Sequence, residues 1–164
     1  MSGDPDAFVA HLYSLRHDVA ALGRLRRYLP DHDTALALQH VEPYLRGVPD
    51  AEAPVWYLTG ALYALWPAMG KHNSLGRAFR HIIEMAPRGT VSGGNASGHV
   101  MYERRFGNLL ATTAETRDEP LRHAVILCAQ HKVPLAWSRV LRDLITWDDD
   151  DGAVKRRLAR ECWG

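Results

Sequence analysis

The stretch "VWYLTGALYALW", residues 55–66, decides the reading of the fold. Its apolar side chains sit nearly all round a helical projection, and a helix apolar on every side belongs inside a core. Pro67 then stops it, because proline lacks the N–H that the next turn needs. The sequence therefore predicts a buried central helix, and the rest of the chain reads as what covers it.

Upstream, "FVAHLYSL" and "VAALGRLRRYL" repeat apolar residues at three-and-four spacing: Phe8, Leu12 and Leu15, then Val19, Leu22, Leu25 and Leu29. Pro30 and "DHD" end that run. "TALALQHVEPYL" reads as a further helix disturbed in its last turn by Pro43. Downstream, "NSLGRAFRHIIEM" opens with an Asn/Ser cap and sets Leu75, Phe79, Ile82 and Ile83 on one face. Then comes "APRGTVSGGNASG", residues 86–98, rich in Gly and Ser and without an apolar period, a loop or linker by composition. Four helical segments follow: "VMYERRFGNLLATTA", "EPLRHAVILCAQH", "PLAWSRVLRDLITW" and "AVKRRLARECW". Pro120 and Pro134 are expected in first turns, where a missing N–H costs little.

No segment sustains two-residue alternation, so the expected class is all-α: an N-terminal bundle over residues 1–87, a linker at 88–98 and a C-terminal bundle over 99–164. The 164 residues suffice for a real core, and 46% hydrophobic with 24% charged residues is a globular composition. No apolar run approaches the roughly 20 residues of a membrane span. "MSGDPDAF" lacks the charged-then-apolar pattern of a signal peptide, so a cytoplasmic protein is expected, and "NAS" at Asn95 has no meaning as a glycosylation sequon there.

The net charge of +1 conceals a distribution. Only Lys71, Lys132 and Lys155 of the 20 basic residues are lysines. The others are arginines, the side chain suited to bidentate phosphate contacts, although a GC-rich genome also favours them. Helical phase puts Arg24 and Arg27 on an outer face with Arg26 beside them. Arg77 and Arg80 repeat that spacing opposite Phe79 and Ile82, and Arg139 and Arg142 repeat it opposite Trp137, Val140, Leu141 and Leu144. Arg104 lies nearly opposite the face of Tyr102, Phe106, Leu109 and Leu110, with Arg105 on its flank. Each pair alone is an ordinary solvated face. Four pairs in a row would be a track for a phosphate backbone.

Catalytic patterns are poor: there is no HExxH, GxSxG or GxxxxGK[ST]. His123, Cys128 and His131 share one helix, with the histidines two turns apart and too distant for one ion. No metal, cofactor or catalytic residue is expected, nor a disulfide between Cys128 and Cys162. The run Asp148–Asp151 reads as a solvated spacer or a cap for the last helix.

The order "YERRFGNLLAT", "PLRHAVILCAQHKVPLAWSRVLRDLITWD", "VKRRLAREC", preceded by "LGRLRR", "ALYALWP" and "NSLGRAFRHI", resembles the CasB family, the small subunit of the type I-E CRISPR surveillance complex Cascade. Leu158 departs from a tryptophan common in the family, and "CW" from an aromatic pair. The resemblance implies a non-enzymatic subunit that binds nucleic acid without sequence preference and helps hold the R-loop. Its implied partners are the backbone and large subunits, CRISPR RNA, target DNA with its displaced strand, and a second copy packed head to tail. The arginines at 24, 26, 27, 77, 80, 104, 105, 139 and 142 are then the expected phosphate contacts. A helical adaptor that touches other proteins and barely meets nucleic acid is the alternative.

Overall fold

The computed structural model describes residues 3–88, 97–149 and 151–164. Most of the expected linker, Asn95 and Asp150 lie outside the described residues. Within them the chain is all-α: α1 (Pro5–Ser14), α2 (Val19–Arg26), α3 (Leu38–Val41), a 3-10 turn (Glu42–Tyr44), α4 (Ala53–Leu65), α5 (Leu75–Met85), α6 (Gly98–Leu110), α7 (Asp118–Gln130), α8 (Trp137–Ile145) and α9 (Ala153–Trp163).

The stretch that decides the fold is α4, and every residue from Val55 to Ala64 is buried. Trp66, held extended before Pro67, ends the helix. Trp56 lies 5.2 Å from Phe8 between ring centroids, and Tyr63 meets Trp137 edge-on at 5.6 Å. Thr59 removes the polarity of its hydroxyl by donating to the Val55 carbonyl at 2.8 Å. α2 packs on α4 from one direction, and α7 and α8 from others.

The division at residues 88–98 does not divide the packing. α4 lies against α7 and α8, α1 against α8, and α5 against α6 and α9. Buried side chains from both sides, Phe8 through Leu158, form one continuous cluster. The physical reason is the length of α4, whose all-round apolar surface needs more cover than the N-terminal helices supply. Hydrogen bonds to the backbone reinforce the junction. Trp66 Nε1–H donates to the Val133 carbonyl at 2.8 Å, Trp137 Nε1–H to Ala68 at 2.9 Å, and Asn73 Nδ2–H to Pro134 at 3.0 Å.

Those bonds explain one difference from the sequence reading. Pro134 is not in a first helical turn, because α8 begins at Trp137 and residues 133–136 run beside residues 68–73 instead. Pro120 does sit in the first turn of α7. The "TALALQHVEPYL" helix is also shorter than expected: Asp33 Oδ1 accepts from the Ala35 N–H, favouring a turn, and only Leu38–Val41 is α-helical before the 3-10 turn at Pro43. Val19, expected in the core, is 77% exposed, because it opens α2 beside the Asp18 cap. α6 starts inside the expected linker, at Gly98, with Ser97 as its cap.

α5 and α9 approach closely enough to demand glycine at one position. A Cβ on Gly76 would lie 2.5 Å from the Leu158 carbonyl oxygen, a backbone atom that moves only if α9 moves. Leu158 and Cys162 are buried, so both positions lie in the core. The acidic run anchors α9. Asp148 meets Lys155 at 3.4 Å and accepts from the Ala114 N–H at 2.7 Å, while Asp151 accepts from the Ala153 N–H at 3.0 Å.

A histidine stack gives the fold a pH dependence. The His11 ring lies 5.6 Å from His40 and 5.1 Å from Tyr44. Burial, then the charge of His40, lowers the His11 pKa; burial, then Arg24, lowers that of His40. Below the ordinary histidine value of about 6.5, the unfolded chain therefore binds more protons than the folded one. Stability present above that value is lost as the pH falls from there through the lowered folded values. The urea midpoint is expected to drop from about pH 7.5 to about pH 5.5. It should drop less in His11→Phe, which keeps the stack without the titrating ring.

Candidate nucleic-acid interface

The nine arginines separate into three groups. Arg24, Arg26 and Arg27 are at the end of α2 and its cap, and Arg24 borders a shallow groove with Leu36 and Gln39. α2 packs on α4 and, among the described residues, makes no extensive contact with α5 or α6, which carry Arg77, Arg80, Arg104 and Arg105.

Arg139 and Arg142 on α8 each have a carboxylate partner. Arg139 is half-buried and pairs with Glu161 of α9, which also accepts from Arg157 at 3.1 Å and from the Ser74 hydroxyl. Burial would raise the Glu161 carboxyl, but the hydrogen bonds from Ser74 and Arg157 and the charges of Arg139 and Arg157 outweigh it and hold it below its ordinary value. This knot ties the N-terminus of α5 to α8 and α9, and Arg139, about a third exposed, braces it. Asp143, next to Arg142 in sequence, is buried and pairs with Arg157 instead. Arg142 reaches Asp6 of α1 at 3.0 Å. Both side chains are more than half exposed, and such pairs contribute little, about 0.2–1 kcal/mol. Arg142 therefore remains free to exchange Asp6 for another anion.

The third group, Arg77, Arg80, Arg104 and Arg105, lies on two helices in contact. α5 and α6 pack against each other and both touch α7. Arg77, Arg80 and His81 of α5 line a groove of about 300 Å³ together with Lys132, which follows α7. Among the described residues Glu84 is the only carboxylate lining it, and it pairs with Arg80 at 3.1 Å across one exposed helical turn. Lys132 owes its place to a left-handed backbone, φ 55°, that turns the chain sharply after α7. Arg104 and Arg105 are on the outer side of α6, with no ion pair among the described residues. Phe106 and Leu109 are buried beneath them, as the helical phase requires.

Two basic residues escaped the sequence reading for opposite reasons. Lys132 is a lone lysine in a connection, and periodicity does not reach it. Arg117 is buried, donates from Nη1 to the Leu144 carbonyl at 2.8 Å and lies 5.9 Å from the Trp147 ring. It is part of the core, and burial pulls its pKa below the ordinary value.

The groove offers cations, one amide from Asn73 and exposed helix faces, which suit phosphates. Elsewhere, burial pushes the Cys128 and Cys162 thiols up to about 12, so neither is a thiolate nucleophile at neutral pH. Among the described residues no group of three His, Cys, Asp or Glu side chains is placed to hold a metal ion, and no helix is long and apolar enough to cross a membrane.

Solved structures share this architecture. A CRISPR-associated protein of the Cse2 family from Thermus thermophilus matches with a TM-score of 0.80 at 26% identity, over 99% of each chain. CasB from the same organism matches at 0.79 and 28% identity, over 100% of this chain and 99% of its own. A chain of a CRISPR RNA-guided surveillance complex has the same fold, with a TM-score of 0.72 at 21% identity, over 96% of this chain and 89% of its own. Among curated proteins none matches the sequence. The family model of the CRISPR-associated protein Cse2 matches residues 19–163, nearly the whole chain, and the chain belongs to that family.

Proposed function

We propose that this protein is the non-catalytic small subunit of a Cascade-type CRISPR surveillance complex, where it holds nucleic acid through phosphate contacts and stabilises the R-loop. The observation that carries this reading is the basic groove of Arg77, Arg80 and Lys132, on helices that pack with the outward-facing Arg104 and Arg105 of α6. Base pairing with a guide supplies sequence choice in such a complex, and strand exchange is nearly balanced, so sequence-blind backbone contacts are enough to tip it. Membership of the Cse2 family, with the fold shared by a chain of a CRISPR RNA-guided surveillance complex, supports the setting. The proposed partners are the other Cascade subunits, CRISPR RNA, target DNA with its displaced strand, and a second copy met head to tail. Work on nucleic acid in that assembly is work in the cytoplasm.

A second reading, the protein–protein adaptor, has its own observation. Met85 is 72% exposed at the end of α5, and Val100, Met101 and Trp163 are exposed on α6 and α9, the helices that pack on α5. In an assembled complex this apolar surface meets another subunit, and an adaptor would need nothing more. Single-strand binding separates the two. Fluorescence anisotropy with oligonucleotides of unrelated sequence should give similar affinities that fall steeply with salt, at about 0.7 in log–log slope per phosphate contact. Absence of binding at low salt would leave the adaptor.

A further inference from the structure

A second cavity lies beside the basic groove, between α5, α6 and α7. We infer that it takes an unpaired nucleobase, with Arg105 holding the adjoining phosphate. This rests on the reading of the chain as a nucleic-acid binder and adds which kind of strand it meets.

The cavity has a volume of about 370 Å³, inside the range of about 300–1,000 Å³ for small-molecule sites. Its floor is apolar: Phe79, Ala124 and Leu127, with the Phe79 ring braced by Phe106 at 4.8 Å between centroids. Its rim is polar. Asn108 and Gln130 each bring an amide, a donor and an acceptor that match the edge of any base. Arg105 and His123 bring cationic or donor groups, and among the described residues no carboxylate lines the cavity. Glu119 meets His123 at 3.4 Å from outside it. An aliphatic ligand would leave that rim unpaired, and an acidic rim would repel a phosphate. A planar heterocycle with an anionic tether satisfies floor and rim together.

A base in a duplex is stacked and paired, so only a single strand or an extruded nucleotide can fill the site. Gln130 lines the cavity and Lys132 lines the groove, so the C-terminal end of α7 borders both. A strand lying along Arg77, Arg80 and Lys132 can turn one base inward there.

The test uses the full chain and two strands of equal length, one of thymidines and one with abasic sites at its centre. Both carry the same phosphates, so an arginine track alone would bind them equally. The cavity predicts about tenfold weaker binding of the abasic strand with an unchanged salt slope. It also predicts that the methyl resonances of Ala124 and Leu127 shift with the thymidine strand and not with the abasic one. Equal affinities with unmoved methyls would overturn this inference and leave the phosphate track standing. If neither strand binds at low salt, the proposed function falls with it.

Discussion

Trp137→Ala is expected to destabilise the protein by about 3–5 kcal/mol, the range for deleting a buried aromatic side chain. Trp137 is fully buried, opens α8, packs edge-on against Tyr63 of α4 and donates its indole N–H to Ala68. Its loss removes apolar burial and leaves the Ala68 carbonyl without its partner. It also loosens the junction through which the C-terminal helices cover α4. For a chain of this size each kcal/mol lowers the melting temperature by about 2–4 °C, so a fall of about 10 °C is expected. Thermal and urea unfolding measure it, with a single transition in both proteins if the core is one unit. A fall of about 1 °C would mean that the indole is not packed between the two halves.

Replacing Arg77, Arg80, Arg104 and Arg105 together by alanine is expected to weaken single-stranded DNA binding about 100-fold or more at low salt. It should reduce the log–log salt slope by about 3, since each lost single-strand phosphate contact removes about 0.7. Stability should change little, because these side chains reach solvent and, among the described residues, only Arg80 of the four has an ion pair, an exposed one. Arg139→Ala makes the contrast. It strips Glu161 of a partner inside a partly buried knot, so it should lower stability and leave the salt slope where it was.

That contrast also shows where the sequence stopped being legible. α4 could be read because ten consecutive buried positions leave no polar face to misplace, and α5 because Ser74 and its apolar stripe follow local rules. The phase of "YERRF" sets Phe106 in the core and Arg104 and Arg105 away from it, as the structure has them. Phase says which way a side chain leaves its helix and not what waits there. Arg139 and Arg142 have equivalent phases to the other pairs, but their partners lie 22 and 136 residues away, at Glu161 and Asp6. Lys132 and the Pro134 segment were missed because turns and inter-helix backbone bonds have no period. The expected split at 88–98 followed composition, which marks where a chain is polar and not where a core ends.

The measurement that bears most directly on the central claim is R-loop lifetime in a reconstituted Cascade assembled with this subunit, without it, or with the form lacking Arg77, Arg80, Arg104 and Arg105. The account predicts that omission and the four-arginine form both shorten the lifetime, and that added salt narrows their gap from the wild type. A wild-type lifetime in the complex that incorporates the four-arginine form would contradict it.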